Sequence, residues 1–398
     1  MRLLAAALVI ASAPALAGPQ LAPVTSDNYT IDLYDGVSLG NSAVIAMGGA
    51  TVANAIGSSG TLANPSAAAV RQTTDTDHLN GDYHLDALYA AGSKDFANSG
   101  LSNIQQSGAR MITAGLSGRM GNWAGALGAS AEIVPMPMMP GSTMAVDAQT
   151  LRARLAIAHW IDSRDIAVGV AAELAQLAVQ PECTGCRSLF TINGIGLLAG
   201  ATYIPRHQSF RLGAAANAPF TGGNVAVGDC DPMSCQGYVL PKAVTVPWRV
   251  AVGGVYRWAE TDWNHLVGGD FRDEPAVTVV ADLAVTGASP DAYGLEAAFG
   301  SPQQLERSGR HVAWSPRAGA EYEWLPGRLR VRGGSYWEPV RAPASGWQRV
   351  LGAEQELETD PIPLLHAPGI HAVLGVGYTL DERPRRTWRL YGMTRFRP

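Results

Sequence analysis

Between residues 312 and 338 the side chains alternate by twos. Val312, Trp314, Pro316, Ala318, Ala320, Tyr322 and Trp324 share one parity; Ala313, Ser315, Arg317, Gly319, Glu321 and Glu323 share the other. After a Leu325-Pro326-Gly327 break the pattern resumes, with Leu329, Val331, Gly333, Ser335 and Trp337 set against Arg328, Arg330, Arg332 and Tyr336. A period of two on both sides of a short break specifies two strands joined as a hairpin. A charged face alone would fit the wet side of a soluble sandwich. The Trp and Tyr at the strand ends tip the reading, because membrane barrels place aromatic girdles there.

The pattern repeats along the chain. Candidate strands cover residues 79–91, 109–120, 123–134, 151–160, 166–179, 189–204, 210–217, 246–258, 277–285, the opening hairpin, 370–380 and 387–396, with a weaker candidate at 293–299. Short turns such as Gly121-Asn122 and Asp162-Ser163-Arg164-Asp165 alternate with long joins at 135–149, 180–188, 218–245 and 339–369. Turns at one end and loops at the other are the habit of a membrane barrel. Composition agrees. The chain is 47% hydrophobic and only 16% charged, against about 25% charged in soluble domains. Beyond the N-terminus it has no uncharged apolar run of about 18 residues, so a spanning helix is not expected. Its 45 glycines fall mostly in strand-like segments, where the wall would need small side chains. The net charge of -5 argues against a nucleic-acid partner.

Residues 1–17 read as a secretory signal: Arg2, an apolar core at 3–10, and Ala15-Leu16-Ala17 as the cleavage pattern. No Cys lies near Ala17, which argues against a lipoprotein, and the mature chain would begin near Gly18 in an oxidising compartment. Residues 18–71 differ in kind, being small, polar and glycine-rich, with definite turns at Gly48-Gly49 and Asn64-Pro65. They read as a compact segment lying against something else. Residues 72–398 form the barrel.

The stretch AMGGATVANAIGSSGTLANPSAAA resembles the N-terminal hatch of the FadL/TodX-type outer-membrane transporters of hydrophobic compounds. That hatch carries R-x-M-G-G-A-x-x-A and then an N-P-A turn. The matching residues here are Ala46, Met47, Gly48, Gly49, Ala50 and Ala53, then Asn64 and Pro65, with Ser66 where the family has Ala. VPWRVAVGGVYRW and SPRAGAEYEWLPGRLRVRGGSYWEP also look like strands of that family; the middle of the chain resembles it only in strand pattern. The resemblance implies a monomeric all-β transmembrane antiparallel barrel of about 14 strands with an N-terminal hatch or plug inside the lumen, in the bacterial outer membrane. The thirteen strands read directly leave one missed or merged, since a single-chain barrel has an even number and ends on the periplasmic side. The terminal Phe396-Arg397-Pro398 departs from the usual final aromatic.

Few residues suggest chemistry. Cys183, Cys186, Cys230 and Cys235 lie in two expected loops. A zinc site is conceivable from the first spacing, but in an exported chain disulfides are the stronger reading, with three pairings open. The eight His show no metal-binding spacing, and no metal or other cofactor is expected. Gly194-Ile-Gly196-Leu-Leu-Ala-Gly200 superficially resembles a nucleotide loop but falls within a strand. No G-x-S-x-G elbow or paired nucleophile and base is present, so an enzyme is not expected. Glu321 and Glu323 should lie across from Arg330 and Arg332 as an ion-pair ladder, with Arg249, Arg257, Arg389 and Arg395 also inward. Such charges either stiffen the wall or hold the hatch and guide a ligand's carboxylate.

Residues 134–140, with Met136, Met138 and Met139, are unusually apolar for an exposed loop, which suits capture of apolar ligands or a tip folded on its own barrel. Gly125 and Gly128 could kink the wall by weakening pairing. The family likeness then implies passive transport of hydrophobic small molecules, such as long-chain fatty acids or hydrocarbons. Its steps are capture at the outer loops, a lumen pocket and hatch-gated lateral exit into the outer-membrane lipid. The alternative is a transport-inactive barrel of the same build serving as a surface scaffold or secretion partner.

Overall fold

The computed structural model describes residues 22–34, 41–70, 78–90, 109–136, 146–181, 188–227, 231–265, 272, 274–300, 302–326, 329–337, 370–379 and 389–396. Alternation along the chain becomes one long antiparallel ladder. Its strands are β1 (Leu79–Ala90), β2 (Ala109–Met120), β3 (Trp123–Met136), β4 (Val146–Ile161), β5 (Ile166–Pro181), β6 (Phe190–Tyr203) and β7 (Phe210–Asn217). They continue as β8 (Arg249–Trp258), β9 (Ala276–Thr286), β10 (Ala313–Leu325), β11 (Leu329–Trp337), β12 (Ile370–Thr379) and β13 (Arg389–Phe396). Each pairs with the next in chain order, and the short strand Asn224–Val227 adds to β6.

The two faces of this sheet invert the soluble pattern. Outward parity carries Leu85, Leu116, Leu127, Leu155, Ile157, Val170, Ile195, Leu197, Leu212 and Val252, all exposed. Inward parity buries Arg119, Arg152, Arg154, Glu173, Arg211, Arg257, Asp282, Arg317 and Arg332. Exposed aromatics gather toward the turn end: Tyr83, Trp123, Tyr203, Tyr256, Trp258, Tyr322 and Trp324. An apolar outside with an aromatic girdle and a charged inside is what hydrocarbon, rather than water, demands of a wall.

The sheet curls around residues 41–70. The short helix α1 (Ser42–Ala46) packs on β1, β11, β12 and β13. The helix α2 (Gly57–Gly60) packs on β1 to β3, and the 3-10 turn Pro65–Ala69 packs on β2 to β6. Among the described residues no ladder joins β1 to β13. Thirteen antiparallel strands leave those two edges running in the same direction, so antiparallel closure needs one strand more. The expected count of 14 and a closed barrel are therefore not seen in the ladder itself.

Three expected bounds change for local reasons. The strand expected at 246–258 divides into Ala243–Val246 and Arg249–Trp258, because Pro247 has no N–H to give the ladder. Residues 293–299 are not one strand: Ser289–Tyr293 ends at Gly294, and Leu295–Ala298 is a helical turn, as good helix formers favour. The third strand runs on to Met136, past Val134.

At the loop end a second, smaller sheet lies over the lumen. Its order is Phe220–Gly222, Ala243–Val246, Thr30–Asp32, Ser289–Tyr293, Arg307–Gly309. The N-terminal Thr30–Asp32 is the middle strand, parallel to both neighbours. Below it, Ile31, Leu33, Val134, Met136, Leu177, Phe190, Tyr238 and Phe299 form one buried apolar cluster. Of the described N-terminal residues, 22–34 thus lie at the loop end and 41–70 within the curl of the long sheet.

Candidate functional site

The Met47-Gly48-Gly49 motif is a helix stop pressed into the wall. Gly48 and Gly49 have φ of 67° and 71°, the left-handed region glycine enters freely. Their amides return to Ile45 O and Val44 O at 3.0 Å each, closing the end of α1. A Cβ on Gly48 would sit 2.6 Å from the Ser335 carbonyl oxygen. The wall recedes to match: a Cβ on Gly319 or Gly334 would strike the Met47 backbone. Here lies one reason for glycine within these strands.

The Asn64-Pro65-Ser66 turn is built the same way. Asn64 Oδ1 accepts from Ser66 N at 3.1 Å and Ser66 Oγ at 2.8 Å. Its Nδ2 donates to Val52 O at 2.9 Å and, on β6, to Thr202 Oγ1 at 3.2 Å and Ala201 O at 3.3 Å. Ser66 Oγ lies 2.8 Å from Thr202 Oγ1, so Ser in place of Ala adds a link from hatch to wall. Gly200 leaves room for the Asn64 side chain and Gly169 for the Pro65 backbone. The Gly194 and Gly196 of the same strand leave room for the ring of Phe220. The glycine run is a packing surface for two side chains, not a phosphate loop.

Three wall carboxylates accept from amides of residues 41–70. Asp282 Oδ2 accepts from Thr51 N at 2.6 Å and Val52 N at 2.8 Å. Asp86 Oδ2 accepts from Ser42 N at 2.8 Å and from Ser42 Oγ. Asp82 accepts from Ser58 N and, through Oδ2, from Ser58 Oγ at 3.0 Å, with Ser117 Oγ on its other oxygen. Two arginines hold hatch carbonyls: Arg154 donates to Leu62 O and Arg317 to Gly49 O at 3.4 Å. Glu173 bridges Arg154 and Arg152, and Arg152 Nη2 donates onward to Leu33 O at 2.9 Å. Sequence reading missed all of these. Their one signal is charge on the inward parity of a strand, plainest at Glu173, which stands alone among Ala167, Gly169, Ala171 and Ala175.

The other expected residues stand as follows. Glu321 and Glu323 face Arg332 and Arg330 across β10 and β11; Arg330 lies 3.0 Å from Glu323, and Arg332 pairs with Glu321. Gly125 and Gly128 sit in an unbroken ladder, paired with Gly118 and Gly115 on one side and Ile157 and Arg154 on the other. The register runs through both without a shift, and Gly128 faces inward within reach of Leu62. Met136 is buried in the loop-end cluster rather than displayed on a loop, while Met138 and Met139 lie outside the described residues. Cys235 is buried in that same cluster. Cys183, Cys186 and Cys230 are outside the described residues, as are the side chains of Arg389 and Arg395. No cluster of metal-ligating side chains occurs among the described residues.

Between residues 49–63 and the wall a polar cavity of about 30 Å³ remains, lined by Thr51, Arg154, Asn217, Asp282 and Arg317 among others. It has room for a water or two; pockets for organic ligands run to roughly 300 Å³ and more.

No protein-family model matches the chain, and no curated protein matches it. Among solved structures it is similar to the CymD monoaromatic hydrocarbon channel, at 13% identity over 87% of this chain and 90% of that one, with a TM-score of 0.46. It is also similar to the toluene transporter TodX of Pseudomonas putida, at 12% identity over 90% of this chain and 91% of that one, with a TM-score of 0.47.

Proposed function

We propose that the chain is an outer-membrane passive transporter for hydrophobic small molecules, with residues 18–71 as the hatch of a barrel formed by residues 72–398. The observation that carries this reading is how the hatch is held. Its turns rest on wall glycines, and its amides and carbonyls meet Asp82, Asp86, Asp282, Arg154 and Arg317 through separate polar contacts. Each such hydrogen bond contributes about 1 kcal/mol net, more where charged. A plug whose backbone is held by many exchangeable polar contacts, beside small apolar clusters of Ala and Val, is suited to rearrangement. Apolar cargo would be driven by transfer out of water into lipid, with no energy source. Long-chain fatty acids or hydrocarbons are the substrate class, the outer loops the capture surface, and the outer-membrane lipid the destination. Paired cysteines in the loops at 183–186 and 230–235 would stiffen that surface.

A second reading has its own observation. The described hatch cavity is water-sized and the loop-end cluster is packed with side chains, which suits a transport-inactive scaffold or secretion partner. The experiment is uptake of a labelled long-chain fatty acid by cells carrying the intact chain or one lacking residues 40–68. Protein-dependent uptake that changes on hatch removal supports transport. Its absence from a correctly inserted, heat-modifiable barrel removes the transporter reading and leaves the scaffold.

A further inference from the structure

The turn end of the lumen holds a structure the hatch motif does not predict. After β8 the chain folds back inward, and Trp263 is buried in one apolar cluster with Met47, Ala50 and Ala53 of the hatch and Val255 and Val280 of the wall. On β7, Arg211 is 1% exposed and places its guanidinium carbon 3.8 Å from the centre of the Trp263 ring. Its Nε donates to Asn264 Oδ1 at 2.9 Å, while its Nη1 has no hydrogen-bond acceptor. Asn264 Nδ2 donates to Phe210 O at 2.8 Å and Pro205 O at 3.1 Å, fastening the segment to the turn between β6 and β7. Trp263 N donates to Ser209 Oγ at 3.2 Å, and Arg272 Nη2 donates to Trp263 O at 2.9 Å. Glu274 gathers Thr261, Arg257 and Arg272 around the base of the same segment.

We infer that residues 259–265 form a floor, a second plug that closes the turn end of the lumen independently of the hatch. Trp263 is the stopper, and Arg211 braces it from the wall. A guanidinium buried this deeply with one hydrogen bond is held by the ring face beneath it. The inference rests on the reading of the chain as a hatch-plugged membrane barrel. Its consequence is directional: hatch movement alone does not open a path through the turn end, so cargo freed by the hatch meets the wall instead.

The test is single-channel conductance in planar lipid bilayers, using heat-modifiable protein. The chain lacking residues 40–68 should conduct little more than the intact chain. Adding Trp263→Ala to that deletion should raise conductance roughly ten-fold, as a water-filled lumen opens, and Trp263→Phe should keep it closed. Arg211→Gln in the same background should leak as well; it decides the matter if the Trp263→Ala protein does not insert. A hatch deletion that already conducts as much as the double variants overturns the floor, as does an Arg211→Gln protein no leakier than its parent. Conductance reads closure whatever the cargo, so failed fatty-acid uptake would leave this result standing.

Discussion

Gly48 shows how little tolerance the hatch has at single positions. A left-handed backbone costs a non-glycine residue about 1–2 kcal/mol, and a Cβ there would also strike the Ser335 backbone at 2.6 Å. Gly48→Ala should therefore leave the strands intact and undock the hatch. Limited proteolysis of the inserted protein checks it: cleavage within residues 41–70 should quicken, whereas a cleavage rate equal to the parent's would show that the close approach does not matter. Asp282→Ala should act in the same direction by another route, leaving the Thr51 and Val52 amides without their acceptor at about 1–3 kcal/mol each. The M-G-G and N-P motifs were legible in the sequence because their turn chemistry is local. Their partners were not. Nothing along the chain says that Gly319 and Gly334 face Met47, or that Thr202 meets Asn64, since those meetings depend on which strands the lumen brings opposite the hatch.

Among the elements, the charges divide into two kinds that alternation alone does not separate. The ladder of Glu321, Glu323, Arg330 and Arg332 joins neighbouring strands, and Arg330 is about one-third exposed. Glu173 instead lies 1% exposed between two arginines that are as deeply buried and reach N-terminal carbonyls. Removing one partner of a buried pair strands the others, at about 3–5 kcal/mol, whereas an exposed pair contributes about 0–1 kcal/mol. Glu173→Leu should thus lower stability in urea-driven unfolding from lipid vesicles several times more than Asp162→Asn does, since both partners of the Asp162–Arg206 pair are more than half exposed; equal losses would refute the division. The floor has its own pH signature. Burial pushes the Glu274 carboxyl up, but two hydrogen bonds from Thr261 and the Arg257 and Arg272 guanidiniums outweigh it, holding Glu274 below its ordinary value. Its contribution is therefore present above the unfolded carboxylate's range and lost as pH falls through the folded value. The hatch-deleted chain should stay closed near neutral pH and begin to leak only as pH falls below the ordinary carboxylate range, a step that Glu274→Gln should abolish. The strands themselves were legible nearly end to end, because period-two alternation is written into each one. Where reading failed, the ladder yielded at Pro247 to a missing N–H and at Gly294 to a helical turn, and the joins expected at 135–149 and 218–245 hold strand from Val146 and the short strands Phe220–Gly222, Asn224–Val227 and Ala243–Val246. Trp263 was invisible because it belongs to no pattern: a single ring on a connector gains meaning only from the lumen above it.

For the whole molecule, one register decides what solvent the wall was built for. Tyr83, Leu116, Leu127, Leu155, Ala172 and Leu197 pair in a single row across β1 to β6, and the large residues of that row are all exposed. One residue away, His84, Gly115, Gly128, Arg154, Glu173 and Gly196 form the parallel row on the lumen side. Because successive side chains alternate faces, a slip of one residue would put leucines against the hatch and charges into the surroundings. No soluble sheet would choose this arrangement, since it leaves leucines in water and buries arginine, and both cost free energy. In a bilayer the same arrangement satisfies both faces. The two solvents predict opposite outcomes for Leu155→Arg. On a water-exposed surface the change should be harmless or raise solubility. At mid-height in lipid it should cost about 2–4 kcal/mol, while Thr221→Arg, exposed on the edge strand of the loop-end sheet and outside the long ladder, should be neutral. Folding each protein into lipid vesicles and following its heat-modifiable migration separates the cases. A Leu155→Arg protein that inserts as readily as the parent would mean that the outward face does not meet hydrocarbon, and the membrane reading of the fold would fall with it.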